Sequence, residues 1–513
     1  MYKAPTRFIA FGKHMNVEAA VKAGMEDYAL LILGIVSSYP EFKRLNRSLK
    51  RKIIGITCII LLPVLSQAQI TIANKNVTIG TTGRIGFGYA PTLEGHTGRQ
   101  LNLSGQGSLG SRLEQGDYVD ILPAFHFTPV NANKDSTTIV FQARLAFYST
   151  NGTMLGNVNS GSINGTVIGL PEAFVEVRNI VGSKWSMWAG ARYMRYDDIH
   201  ICDYFYFDDH SSEGFGIKYK NTSFSILFPA AVDTSSTNVS PYSYVNTISG
   251  GPALTYRQKE VLIAEQTLSA GKRHSLKLLA EYHHLAPAEK NASPAYPDDH
   301  GWLVGAKLSS ELNTKLPGSF NQLAIRYGSG IANGGDNGNT WTWNTYGAPN
   351  EQTGQYNGAY SLTAVEHFML NLSNKFSLNG YSVYTHSRGG AASNEKAEDY
   401  YNRSIFNRKT DFVAGFRGIT YLKNWFHLIT ELHYAQRKDG EQPNATMFKF
   451  IVAPTLVPTA ERSPWARPHI RAIFSVAKYN KYAAEHQYSA YLAQAGAKSW
   501  GSYIGIRSEW WLF

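Results

Sequence analysis

The chain has 513 residues, 43% of them apolar, 17% charged and 13% aromatic, with 31 Tyr, 25 Phe, 10 Trp and 46 Gly. So few charges and so many aromatic rings exclude a disordered chain. Without an apolar run of about 18 residues beyond the N-terminus it is no helical membrane protein, and two Cys cannot build a disulfide scaffold or a Cys-type zinc site. The net charge of +11 is unevenly spread: residues 1–68 hold ten Lys/Arg and four Asp/Glu, and subtracting them from 49 and 38 leaves 39 and 34. The remainder is mixed charge rather than the concentrated basic patch that nucleic acid requires, so no nucleic-acid partner is expected.

Residues 43–52 read KRLNRSLKRK, 53–65 read IIGITCIILLPVL, and Ser66-Gln67-Ala68 follows. A basic stretch, a short apolar stretch and a small-x-small site predict a secretory signal. Cleavage after Ala68 leaves 445 residues for the mature domain, 69–513. Residues 1–42 carry a second apolar run, ALLILGIV at 29–36, and read either as an upstream start site or as an extra segment. Cys58 lies early in the apolar run, where a lipoprotein cysteine would lie at its end. Cys202 is then the one thiol in the mature chain.

Beyond the signal the pattern has period two. Phe215, Ile217 and Tyr219 alternate with Lys218 and Lys220, and Phe224, Ile226 and Phe228 with small residues. Leu276, Leu278, Ala280 and Tyr282 alternate with Lys277, Glu281 and His283; Leu428, Thr430, Leu432 and Tyr434 alternate with Glu431 and His433. In the last segment Ile504, Ile506, Trp510 and Leu512 share one face, with Tyr503, Arg507, Glu509 and Trp511 on the other. These are strands with one apolar face. Segments of about ten residues, aromatic rings at their ends and a terminal Phe513 favour a transmembrane barrel over a soluble sandwich. The long polar stretches 95–110, 229–250, 286–300, 330–358 and 386–406 read as external loops.

Other motifs carry little chemistry. GQGSLG at 105–110 follows no buried strand and opens no helix, so it reads as a loop and not as a dinucleotide site. NGGDNGN at 333–339 lacks the acidic spacing of a calcium loop. His283 and His284 are strand neighbours and point to opposite faces. No nucleophile–base pair emerges, so no catalysis and no cofactor are expected. The informative block is 188–209, WAGARYMRYDDIHICDYFYFDD, a mixture of acids, Arg and aromatics unsuited to lipid and suited to a polar constriction.

This block resembles the maltoporin (LamB-type) family of sugar-specific outer-membrane channels. The family's W-A-G-x-R, Asp-x-His and Asp-aromatic-Asp pattern is met by Trp188 to Arg192, Asp198-Ile199-His200, Asp203 and Tyr204 to Asp208. SPWARPHIRAIFSVAKY at 463–479, GTTGRIGFGY at 80–89, SRLEQGDYVD at 111–120 and the closing E-x-W are also similar. The resemblance implies an all-β, trimeric barrel of about eighteen strands with one loop folded inward, in the outer membrane of a Gram-negative-type bacterium. It implies passive diffusion of maltodextrin-like oligosaccharides, with outer-membrane lipid and two further copies of the chain as partners. The alternatives are a small-solute or carbohydrate porin of other specificity and, beyond that class, a barrel enzyme.

Position by position, the resemblance implies an aromatic track of Tyr118, Phe320, Trp465 and Trp511. It implies ionic pore residues Arg84, Arg112, Asp120, Arg192, Arg195, Asp198 and Asp203, with Phe205 in place of the constriction tyrosine. Thr82 stands where the family has a first-strand tyrosine, and Pro171 where it has an arginine. No Trp occurs in 149–170, where a neighbouring subunit would contribute one. The implied track is therefore shorter at its outer end and lacks one hydroxyl at its narrowest point.

Overall fold

A computed structural model of the chain describes residues 76–127, 136–149, 166–229, 259–287, 297–312, 316–334, 341–398 and 404–512, with short strands at 8–10, 13–15, 70–72, 158–159 and 162–163. The signal at 43–68 lies outside the described residues, as do Phe513 and residues 335–340 of the NGGDNGN stretch. The chain divides into two compact units, Met1–Gln69 with Leu512–Phe513, and Ile70–Trp511. In the first, Phe8–Ala10 pairs with Lys13–Met15.

Among the described residues of the second unit, eighteen antiparallel strands close into a barrel. In chain order they are β1 (Val77–Tyr89), β2 (Tyr118–Phe127), β3 (Thr138–Ser149), β4 (Thr166–Arg178), β5 (Trp185–Arg192) and β6 (Ser212–Tyr219). Next come β7 (Thr222–Leu227), β8 (Lys259–Ala270), β9 (His274–Leu285), β10 (Asp299–Glu311), β11 (Phe320–Gly330) and β12 (Tyr360–Ser373). The last six are β13 (Phe376–Arg388), β14 (Arg408–Tyr421), β15 (Phe426–Asp439), β16 (Ala445–Leu456), β17 (His469–Tyr479) and β18 (Trp500–Leu512). Each strand pairs with its sequence neighbour, and β18 returns to β1. No strand edge is left open, which is what a bilayer demands of a sheet.

The alternation sorts residues inside out. Leu278, Tyr282, Leu432, Tyr434, Phe215 and Phe224 are exposed, while Glu281, His283, Glu431 and His433 are buried in the lumen. The apolar face meets lipid and the polar face is satisfied inside. Rings gather at both rims of the outer face: Trp185 with Tyr219 at the short-turn end, and Trp302 with Tyr327 at the long-connection end. The segment 215–228 is a two-strand hairpin, turned at Lys220 with φ +53°.

One expectation changes. The stretch 95–110 does not stand outside as a polar loop; with its flanks it folds into the lumen. Leu101, Leu103, Leu109 and Leu113 are buried there, and Gln106 donates to Asp411 Oδ1 (2.9 Å) and to the Gln436 carbonyl (2.8 Å) on the far wall. Four leucines spaced among Gly and Ser cover enough apolar surface to favour burial, each worth roughly 1.5–3 kcal/mol.

Candidate functional site

Three segments meet on the β17–β18–β1–β2 side of the lumen. The inward segment 193–211 crosses from β5 and makes a tight hairpin, Asp198–Ile199 paired with Tyr204–Phe205. Its far side is fastened to the opposite wall. Tyr206 Oη donates to Gln322 Oε1 (2.5 Å), Arg326 Nη1 donates to the Phe207 carbonyl (3.2 Å), and Lys277 and Lys307 pair with Asp208 and Asp197. The segment 90–117 supplies Arg112. The turn 457–468 supplies Trp465 and Arg467.

The tip of the 193–211 segment bends at Asp203, where φ is +56°, a left-handed conformation that costs a non-glycine residue about 1 kcal/mol or more. That bend holds the Asp203 carboxylate 3.0 Å from Arg84 Nη1 and 3.7 Å from Arg112 Nη1. Burial opposes its ionisation, but Arg112 and Arg84 outweigh burial and hold it below the usual carboxylate range. Asp198 takes the opposite course: burial and the neighbouring Asp203 charge push it up to about 8. The two shifts run in opposite directions, so the negative charge of the pair concentrates on Asp203.

His200 sits between them and the aromatic wall. Arg467 Nη2 lies 2.8 Å from His200 Nε2. A guanidinium can only donate, so Nε2 accepts; Nδ1 lies between Asp198 Oδ2 at 3.3 Å and Arg112 Nη1 at 3.4 Å. Burial and the charges of Arg112 and Arg467 keep His200 neutral, well below its ordinary value. Its ring lies 5.4 Å from Trp465 and 5.2 Å from Trp511, centroid to centroid, and the Arg467 guanidinium lies 4.1 Å over the Trp511 ring. Behind them Glu509 accepts from Arg112, from Arg467 Nε (2.9 Å) and from Arg471 Nη1 (3.2 Å). Trp510, on the outer face, donates to Thr81 Oγ1 at 3.2 Å.

A second ionic chain runs along β2 and β3. Asp120 accepts from Tyr118 Oη and from Arg144 Nη1 (2.5 Å). Arg144 and Arg195 both lie over the Tyr193 ring, at 4.5 and 4.8 Å. Arg195 also covers Phe205 at 4.0 Å and pairs with Asp209 at 3.0 Å. Arg84, 5.8 Å over the Tyr118 ring, links the two groups.

The structure therefore brings together Arg84, Arg112, Asp198, Asp203, Trp465 and Trp511, and beside them Tyr118, Asp120, Arg195 and Phe205. It sets Arg192 and Phe320 apart. Arg192 pairs with Glu176 (3.4 Å) and lies over Phe174 and Trp188 on the β4–β5 wall. Phe320 opens β11 and meets His367 edge-on at 5.2 Å; β11 and β17 are six strands apart in the sheet order. Sequence reasoning did not select His200, Glu509, Arg467, Arg471, Arg144 or Tyr193 for the site. Charged residues at inward strand positions, as in FQARLAF and HIRAIF, were the available signal.

A closed eighteen-strand barrel with an apolar outside and a constricted, ion-paired inside is an outer-membrane channel. Its lining of hydrogen-bonding ions beside flat rings is suited to sugars and other polar solutes. The LamB porin family model matches residues 77–511, and the chain belongs to that family. Similar solved structures include OmpF of Salmonella typhi in complex with daunomycin, at 12% identity and a TM-score of 0.39, covering 86% of this chain and 100% of that one. DcaP of Acinetobacter baumannii is similar at 9% identity and 0.42, covering 87% and 100%. Wzi of Escherichia coli, a carbohydrate-binding barrel, is similar at 11% and 0.39, covering 90% and 89%.

Proposed function

We propose that the channel passes oligosaccharides down their gradient, as a homotrimer and without catalysis, along a path flanked by Tyr118, Trp511 and Trp465. The observation that carries this reading is the pair of indoles on either side of neutral His200, beside the Asp203–Arg84–Arg112 cluster. A sugar ring has an apolar face and a polar equator. The indoles take the face, each worth about 0.5–1.5 kcal/mol by analogy with aromatic pairs. Asp203 and the arginines exchange hydrogen bonds with the hydroxyls, stronger for being charged. Two or three stacks together with these charged hydrogen bonds, less the ordering cost, give roughly −4 kcal/mol, a millimolar affinity. Weak sites of similar depth favour passage over trapping. Maltodextrin-like glucans are the first candidates.

A second reading has its own observation. Arg195 covers one face of Phe205, and Arg144 and Arg195 lie over Tyr193, so these rings have less surface left for sugars; that favours a porin for a wider range of small solutes.

Planar-bilayer conductance separates the two readings. On the sugar reading, maltotriose blocks potassium current saturably. Trp511→Ala then raises the half-blocking concentration several-fold, about a factor of five per ~1 kcal/mol, while Trp510→Ala leaves block alone and lowers oligomer yield. Equal effects of the two variants on block would refute the track. Absence of block by maltotriose and sucrose would favour the wider porin.

A further inference from the structure

At the long-connection end, away from the Trp465–Trp511 pair, a cavity of about 780 Å³ opens above β15. That volume is in the range of small-molecule sites. Its walls come from the 90–117 segment, the β13–β14 connection, β15 and the β17–β18 connection. The rings are Tyr482, Tyr488 and Phe406, and His486 stacks on Tyr482 at 4.1 Å.

Arg437 Nη1 donates to the Gly105 carbonyl (2.7 Å) at the edge of the cavity, and Gln106 is bound to Asp411 and the Gln436 carbonyl. These bonds fix the 90–117 segment as one wall. The adjoining void at Gly105 and Gln106 measures about 30 Å³, room for roughly one water. A ring-lined cavity with a fixed wall at the mouth of a channel is a place to dock.

Its rings are held by built structure. Helix α1 (Lys481–Glu485) is capped by Asn480, whose side chain accepts from the Ala483 amide at 2.9 Å, and its Ala483 and Ala484 are buried. Gln487 then adopts φ +53°, the left-handed turn that returns Tyr488 to 5.7 Å from Tyr482. The charged groups are already engaged. Arg437 Nε donates to Asp439 Oδ1 (2.8 Å), Tyr488 Oη donates to Asp439 Oδ2 (3.0 Å), and Glu395 accepts from Gln442 Nε2 (3.1 Å). Lys396 lies 5.3 Å over the Phe406 ring. Internally matched charges around flat rings suit a ligand without net charge, rich in hydroxyls and bearing an apolar face.

We propose that this cavity is a second carbohydrate site, which docks one or two units of a neutral oligosaccharide outside the conducting path. It is distinct from the lumen track, and the two can fail separately.

The test is equilibrium dialysis of radiolabelled maltotriose, sucrose and chitotriose against the full-length protein in detergent, beside conductance block in bilayers. The wild type is expected to bind two molecules per chain of at least one of these sugars. Tyr482→Ala with Tyr488→Ala, or Ser104→Trp filling the cavity, should reduce this to one and leave the half-blocking concentration within about twofold. Tyr482→Phe with Tyr488→Phe keeps the rings and should keep both sites. Trp511→Ala should lose block and retain the mouth site. A stoichiometry unchanged from the wild type in the Ser104→Trp and double-alanine variants, or no binding of any of the three sugars, would overturn the proposal. If Trp511→Ala leaves block intact while the mouth variants still lose one site, the track fails and the mouth site stands.

Discussion

The two sides of the lumen are built alike and covered differently. On the β9–β16 side the inward-facing residues are buried, because the segments 90–117 and 193–211 lie against them. Lys449, fully buried, donates to Glu114 Oε1 at 3.2 Å; Tyr381 Oη accepts from the Gly110 amide at 3.2 Å. On the β17–β18–β1–β2 side Asp120, Arg471, Arg507 and Glu509 are buried as well, but the same two segments present Arg112, Asp198 and Asp203 beside Trp465, Trp511 and Tyr118, which stay partly exposed. Alternation along the strands supplies a polar inner face all round the barrel. On the proposed reading, the chain laid across them makes one side a packed core and the other the passage.

Removing Glu509 should give the largest effect on that contrast. It is the carboxylate shared by Arg112, Arg467 and Arg471, all of them buried. Glu509→Ala leaves three guanidiniums without it, and breaking a buried pair costs about 3–5 kcal/mol. The expected outcome is a large drop in the temperature at which the folded band is lost in gel mobility, with the outer-membrane fraction depleted. A variant as heat-resistant as the wild type would show that the packed side alone holds the barrel.

The passage side is tested by its two acids. Asp203→Asn removes a charge present at neutral pH and should shift ion selectivity toward anions at pH 7 and weaken sugar block. Asp198→Asn should change less at pH 7, because its raised value leaves it less charge there. The sign follows from its raised value: as pH climbs through about 8, Asp198 gains a negative charge. Wild-type cation selectivity should therefore rise between roughly pH 7 and 9, and the step should vanish in Asp198→Asn. Equal shifts from the two variants at pH 7 would refute the division of charge between them.

The smallest effects are expected where two candidate residues lie away from the cluster. Phe320→Ala and Arg192→Ala should each leave the half-blocking concentration within about twofold, less than ~0.5 kcal/mol. A several-fold change from Phe320→Ala would extend the sugar path to the β11 wall and weaken the contrast drawn here.

The barrel was legible because period-two alternation is local. Leu278 and Glu281 report their faces within one strand, and the same counting separates Trp511 from Trp510. The block at 188–209 stood out because acids beside rings are wrong for lipid. The inward path of 90–117 was not legible. Leu101, Leu103, Leu109 and Leu113 are diluted by Gly and Ser, and their partners on β13–β17 lie hundreds of residues away. Arg192 and Phe320 matched by position, but whether a side chain joins a cluster depends on its neighbours across the lumen. Glu176 and His367 decide that, and no spacing along the chain reveals them.

Those long separations order the assembly in time. Asn102 and Glu114 meet Lys449 across 347 and 335 residues, Glu114 meets Ser475 across 361, and Arg112 meets Glu509 across 397. The 90–117 segment emerges early and waits for nearly the whole chain before its counterions exist. Closing loops of such length early is entropically unfavourable, so its docking belongs to the end of folding, with β18 in place. Until then Arg112, Arg467 and Arg471 lack their shared carboxylate, and an unfinished barrel carries unbalanced positive charge where the finished one carries its ion-paired cluster. The final strand thus completes the wall and neutralises that cluster in one step.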